Sequence, residues 1–166
     1  MHHAYTGGLL EHSVSVAIGA RDMARHYSDF KIPVNMDLVI AGALLHDIGK
    51  LESYSMNPAP QVTVSGIAVE HIAMGVGMFM KFAELEKLDK NIALALGHII
   101  ASHHGKLEYG SPVLPATPEA FIVSAADNVD FELAYWKSQM DGLNNDSDIT
   151  DYLPAIERRL WRGVKL

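Results

Sequence analysis

The chain has 166 residues, of which 49% are apolar and 20% charged, with no cysteine and a formal net charge of −7. That length suits one domain with a real core. The lack of thiols excludes disulfides and thiolate metal sites, which makes a reducing cytoplasm the expected location. The acidic balance excludes recruitment of nucleic acid by bulk charge, and no apolar run approaches the roughly 20 residues that cross a bilayer.

Met1 to Tyr5 lack the basic-then-apolar order of a signal peptide. His2 and His3 read equally as native sequence or tag remnant and are left out of any site. A first helix is expected from about Gly8 to Tyr27, with Leu9, Leu10, Val14, Ala17, Ile18 and Met23 as its apolar stripe. Asn35 can cap a second helix through Val39, Leu44 and Leu45, which Gly49 should end. Residues 51–64 carry Pro58 and Pro60 and read as a loop, with Val62-Thr63-Val64 a short extended piece. A third helix spans about Gly66 to Phe82. Asp89 can cap a fourth, from Lys90 to about His103, closed by Gly105.

Pro112, Pro115 and Pro118 make residues 105–118 a structured loop. Thr117-Pro118-Glu119 has the order of a helix start: cap, proline, acid. That fifth helix should run to about Met140 and carry Asp127. Residues 142–147 are turn-like, and a last helix is expected from about Asp151 to Trp161. Tyr135, Trp136 and Trp161 suit internal packing more readily than a homo-oligomer surface. The expectation is an all-α bundle forming one domain over residues 1–166.

Nine histidines are the unusual feature of the composition. The apolar second helix ends in His46-Asp47, and charged groups are rarely buried unless paired or bound to metal. Alone, this pair fits a core histidine and a capping aspartate equally well. His12, His71, His98, His103, His104 and Asp127 also fall on apolar helices or at their ends. So many polar groups on apolar faces are hard to explain as packing. His98 lies about 140° around a helix from His103, so it reads as a supporting or core residue. Asp130, one turn from Asp127, reads equally as a ligand-orienting group or a solvent-facing acid.

The order His12, His46-Asp47, Asp127 resembles the signature of HD-domain metal-dependent phosphohydrolases, which are all-α helical bundles with the metal site in the core. Gly7 to His12, His46 to Lys50, Ser102 to Lys106 and Ala125 to Asn128 are similar to the HD domain of YhaM-type 3′–5′ exoribonucleases. The resemblance covers roughly residues 2–135. It implies a first divalent metal on His12, His46, Asp47 and Asp127. It implies a second on His71 and His103, with Asp47 bridging and His104 a ligand or phosphate contact. Lys50 matches a phosphate-contacting lysine, so Asp47 and Lys50 are the expected catalytic pair. Lys106 reads as a solvated loop residue more readily than a site residue.

The implied reaction is hydrolysis of phosphoesters of nucleotides or RNA 3′ ends by a metal-activated water. One or two ions of Mn, Fe, Ni, Zn, Co or Mg would serve. Relatives of this type carry an oligonucleotide-binding β-barrel before the HD domain, whereas this chain begins almost at its first motif. Either this is a fragment of a longer nuclease or a stand-alone enzyme acting on small nucleotides, and the acidic balance slightly favours the second. The rival readings are a di-iron oxygenase on the same fold, a non-catalytic nucleotide-binding module and a purely structural bundle.

Overall fold

A computed structural model describes residues 6–55, 60–144 and 146–164. His2, His3 and Pro58 lie outside the described residues. The chain divides into two compact units, one ending at Asp130 and the other beginning at Phe131. The expected all-α architecture holds. The α-helices are α1 (Gly8–Asp29), α2 (Met36–Leu45), α3 (Lys50–Ser53), α4 (Val64–Val69), α5 (His71–Leu85), α6 (Lys90–Ser102) and α7 (Pro118–Asp141). Among the described residues the strands are β1 (Tyr54–Ser55) and β2 (Gln61–Val62), an antiparallel pair with Tyr54 opposite Val62.

Local chemistry sets most helix starts. Asn35 Oδ1 accepts from the backbone N–H groups of Asp37 and Leu38, and Asp89 Oδ1 does the same for Asn91 and Ile92. Thr117 Oγ1 accepts from Ala120 N–H behind Pro118. The backbone N–H of Asn35 donates to Glu119 Oε1 at 2.8 Å, tying the start of α2 to the first turn of α7.

In the first unit, α2 packs on α1 and α6, and α6 packs on α5. Val16, Ala17, Ala20 and Ala24 of α1 meet Val39 and Ala43 of α2, Ile99 and Ile100 of α6, and Val123 and Ala126 of α7 in one apolar core. The small residues on α1 allow close helix approach. They also correct the expected stripe, since Leu10, Val14 and Ile18 are exposed. This helix is apolar on two sides, and the alanine side with His12 turns inward.

Other expectations change for backbone reasons. Helix α2 stops at Leu45, before Gly49, and Gly49 has an ordinary helical φ of −63°. Its role is close approach: a β-carbon there would lie 1.9 Å from the His71 carbonyl oxygen and 2.6 Å from Gly75 N. The 51–64 segment is not all loop, because it holds the end of α3, the β1–β2 pair and the cap of α4, Thr63. The third helix is broken into α4 and α5 at Glu70, whose φ of 71° interrupts the helical path. Gly105 does close the α6 region, with φ 75°.

The last expected helix does not form. In the second unit, Ile149 bridges Trp161 and Leu153 bridges Arg158 in an antiparallel turn. Pro154 lacks a donor and disfavours helical backbone at Leu153. The donors go across the turn instead, Thr150 N–H to Leu160 O at 3.0 Å and Leu153 N–H to Arg158 O at 2.9 Å. Trp136 Nε1–H donates to the Trp161 carbonyl at 3.0 Å within this unit.

Gly49→Ala is expected to cost at least about 2 kcal/mol, because overpacking must push α5 away from the α2–α3 turn. Gly77→Ala on α5, where a β-carbon meets nothing within 4 Å, should be neutral or stabilising by up to about 1 kcal/mol. Urea midpoints of the two variants check the contrast.

Candidate metal centre

Five segments deliver five imidazoles and two carboxylates to one place. His12 lies near the start of α1, and His46 and Asp47 follow the last residue of α2. His71 opens α5, His103 and His104 follow α6, and Asp127 lies in α7. His12, His46, Asp47, His71 and His103 are buried, while His104 and Asp127 are partly accessible.

The geometry centres on Asp47. Its Oδ2 lies 3.4 Å from His12 Nε2 and 3.5 Å from His46 Nε2. Its Oδ1 lies 3.3 Å from His71 Nε2 and 3.6 Å from His103 Nε2. Asp127 Oδ1 joins the first set, 3.2 Å from His12 Nε2 and 3.6 Å from His46 Nε2. His104 joins the second, its ring centroid 4.4 Å from that of His103 and 5.1 Å from that of His71. Ligand atoms of His71, His103 and His104 lie within 4.8 Å of one another, as do those of His12, His46 and Asp47.

Each histidine is aimed by its other nitrogen. Nδ1–H donates from His46 to Ala43 O at 2.7 Å, from His103 to Ile100 O at 2.8 Å and from His104 to Tyr109 O at 2.5 Å. His12 Nδ1–H donates to Asp130 Oδ2 at 2.7 Å, and His71 Nδ1–H donates to Glu70 Oε1. These oxygens can only accept, so the proton sits on Nδ1 and every Nε2 is left facing the centre. Asp47 Oδ1, His71 Nε2 and His103 Nε2 are buried without a hydrogen-bond partner among the described residues. Three orphaned donor atoms of metal-ligating type, facing one point, fit a divalent cation.

Electrostatics in the absence of metal follow from the same contacts. Burial opposes charge on His12, but hydrogen bonds to Asp127, Asp47 and Asp130 outweigh it and lift the imidazole from 6.5 to about 9. Burial opposes charge on His46 too, and the Asp47 charge with bonds to Asp127 and Asp47 lifts it to about 10. The two Nε2 atoms are 3.1 Å apart, room for one shared proton between them. Burial pushes Asp47 and Asp127 up, but the imidazoles hold both below the ordinary carboxylate value. Burial lowers His103, which stays neutral with a free lone pair.

The family model described as HD domain matches residues 9–132, a span that contains every residue of this cluster. The chain belongs to the HD-domain family. It is 34% identical over 158 residues to the 3′-5′ exoribonuclease YhaM of Bacillus subtilis, and 37% identical over 158 residues to that of Bacillus licheniformis. The YhaM of Bacillus velezensis is 34% identical over the same length. Each alignment covers 95% of this chain and 49% of the relative, so the chain spans about half the length of these curated relatives. No solved structure matches the chain significantly.

In this HD domain, His12, His46, Asp47, His71, His103, His104 and Asp127 all come together. Lys50 reaches the same place, with Nζ 2.5 Å from Asp47 Oδ2. Lys106 and His98 do not join the cluster: Lys106 is exposed, and His98 Nε2 accepts from Ala116 N–H at 3.0 Å, fastening the proline-rich loop. Asp130 is the orienting group for His12, held in turn by Ser15 Oγ at 2.5 Å. Glu70 was not foreseen. Its φ of 71° and ψ of 151° belong to a region that almost only glycine occupies, and its carboxylate holds both His71 Nδ1 and Ile72 N–H. The one available signal was its position immediately before a buried histidine.

The shared proton gives the metal-free protein a pH signature. Folded-state affinity for that proton is raised, so its stabilisation is complete below about 6.5 and is lost as pH rises through 9 to 10. The depressed carboxylates stabilise above their ordinary value of 3.8 and lose that effect as pH falls. With chelator present, the melting temperature should be highest between about pH 4 and 6.5 and fall toward pH 10. Metal must displace the proton, so divalent-ion affinity should rise up to about tenfold per pH unit below pH 9. A flat metal-free profile from pH 6.5 to 10 would contradict this.

Glu70 gives a second expectation. Glu70→Ala keeps the strained backbone and loses the carboxylate, whereas Glu70→Gly loses both. Glu70→Gly should therefore be the more stable by about 1 kcal/mol, the reverse of the usual order. Both should weaken ion binding about 10- to 100-fold at the His71 set, with Glu70→Gln largely restoring it. Thermal melts and metal titrations read the two effects separately.

Proposed function

We propose that this HD domain is a metal-dependent phosphohydrolase that cleaves phosphodiester bonds at RNA 3′ ends. The observation that carries the reading is the division of Asp47, with one oxygen toward each set of imidazoles. A first ion would be held by His12, His46, Asp47 and Asp127, and a second by Asp47, His71, His103 and His104. Nitrogen-rich sets of this kind favour Mn, Fe, Co, Ni or Zn over Mg. Such ions supply Lewis-acid stabilisation of phosphoryl oxygens and lower the pKa of a nearby water.

The chain's own groups do the rest. Asp47, with both oxygens committed, would bridge the two ions rather than contact substrate. Asp127 is the more accessible carboxylate, with a side chain 15% exposed, and would complete the ligand set of the first ion. Lys50, partly exposed at the rim and bonded to Asp47, offers its ammonium to a phosphate oxygen that arrives beside it. RNA 3′ ends are preferred over small nucleotides as substrate because the relatives are named 3′-5′ exoribonucleases. An RNA substrate and a cysteine-free chain both suit the cytoplasm, and among the described residues no helix is long and apolar enough to cross a membrane. The two compact units are read as one HD domain and its C-terminal extension.

With manganese or iron supplied, His46→Ala and Asp47→Asn should lose metal and phosphodiesterase activity together. Lys50→Ala should lower kcat/KM by about 10²- to 10³-fold with metal content unchanged. Metal analysis beside turnover of a 3′-labelled RNA reads both. Oxygen uptake by the iron-loaded protein, with no phosphodiester cleaved by any metal form, would overturn the reading in favour of an oxygenase.

A further inference from the structure

The metal centre accounts for cleavage of a phosphate but not for recognition of a nucleotide. We propose that Tyr109 and Lys106 form a nucleotide platform beside it, Tyr109 stacking on a base and Lys106 meeting the backbone phosphate of a single-stranded RNA 3′ end. This inference rests on the phosphohydrolase reading and names how its substrate is held.

Three observations carry it. The first is position. The Tyr109 carbonyl accepts from His104 Nδ1–H at 2.5 Å, and His104 belongs to the second set of imidazoles. Tyr109 is thus one hydrogen bond removed from a metal-ligating ring, and a base lies only one sugar from its phosphate.

The second observation is rigidity combined with exposure. Residues Leu107–Tyr109 form a single 3₁₀ turn, closed by Tyr109 N–H to Lys106 O at 3.2 Å and Gly110 N–H to Leu107 O at 3.0 Å. One end is pinned at Gly105, where a β-carbon would lie 2.6 Å from Ser124 Oγ, and the other by the His98–Ala116 bond. Yet Tyr109 is 56% exposed. A large aromatic ring is thus offered to solvent on a fastened turn.

The third is charge. Lys106 Nζ lies over the Tyr109 ring, 5.0 Å from its centroid, so a cation backs one face of the aromatic ring. The chain is acidic overall, and Lys50 is assigned to the phosphate at the metal centre itself. An oligonucleotide therefore needs a further local cation near the centre. Stacking is tolerant of sequence because every base has a π-face, which suits an enzyme that must accept any terminal base.

The test compares a short single-stranded RNA with the same RNA made abasic at its two 3′-terminal positions, both with non-cleavable terminal linkages for binding. Tyr109→Ala should weaken binding of the intact RNA by about 5- to 100-fold, and that of the abasic RNA far less. Tyr109→Phe should keep the preference. Lys106→Gln should reduce the slope of log affinity against log salt by about 0.7, the loss of one phosphate contact on a single strand. Equal weakening of both RNAs by Tyr109→Ala overturns the platform. Cleavage of the ordinary RNA is read separately. Base-dependent binding without turnover by any metal form removes the phosphohydrolase reading and leaves the platform standing. Turnover without base-dependent binding does the reverse.

Discussion

A buried carboxylate with two faces organises this protein. Asp47 is almost wholly removed from water, where an ionised group is costly unless other charges or donors surround it. Its partners are arranged unequally. Oδ2 has Lys50 beside it and the proton-sharing pair His12 and His46, whereas Oδ1 faces Nε2 of His71 and of His103. The first side is compensated by protons and an ammonium. The second is a buried carboxylate oxygen and two imidazole nitrogens without hydrogen-bond partners among the described residues, a set that a cation would satisfy. Metal affinity and protein stability are therefore linked through one side chain.

Around Asp47, precision comes from outer contacts. Three histidines are aimed by backbone carbonyls of their own turn or loop, and two by carboxylates, Asp130 and Glu70. Carbonyls from the same helix end fix a ring cheaply, because the backbone is already ordered. The carboxylates do more, since they also set the ring's electron density and its hold on a cation. At Glu70 the backbone adopts a conformation that side chains avoid, so the local path is bent to serve His71.

The fold brings the two halves of the cluster together through close backbone approach. Gly49 lies directly against the first turn of α5, and Gly42 lies against Ile99 of α6. Neither glycine needs an unusual φ. What they supply is the absence of a side chain, which lets the His46–Asp47 turn reach His71 and His103. The same logic extends to the aromatic turn after α6: Gly105 lets the chain pass Ser124, and His104 then binds the turn that exposes Tyr109. Chemistry and recognition share one set of backbone constraints.

The sequence alone specified the donor types, their order, the caps of α2, α6 and α7, and hence an all-α fold with a cluster of metal-ligating groups. These follow from local rules: side-chain oxygens satisfy free N–H groups at helix starts, and apolar periodicity turns one face inward. Asp127 and His12 were legible because polar groups on apolar faces need a reason. Glu70 was not legible, since a strained φ depends on what packs around it; at residues 149–161 Pro154 argued against helix, but the cross-turn ladder itself was not legible. The inward side of α1 was equally hidden, because both its sides are apolar and only the neighbouring helices choose between them. The resemblance implied that Asp47 serves both imidazole sets, but its division, Oδ2 toward His12 and His46 and Oδ1 toward His71 and His103, belongs to the tertiary structure. No spacing in a chain states which oxygen faces which ring; that is decided where five segments converge.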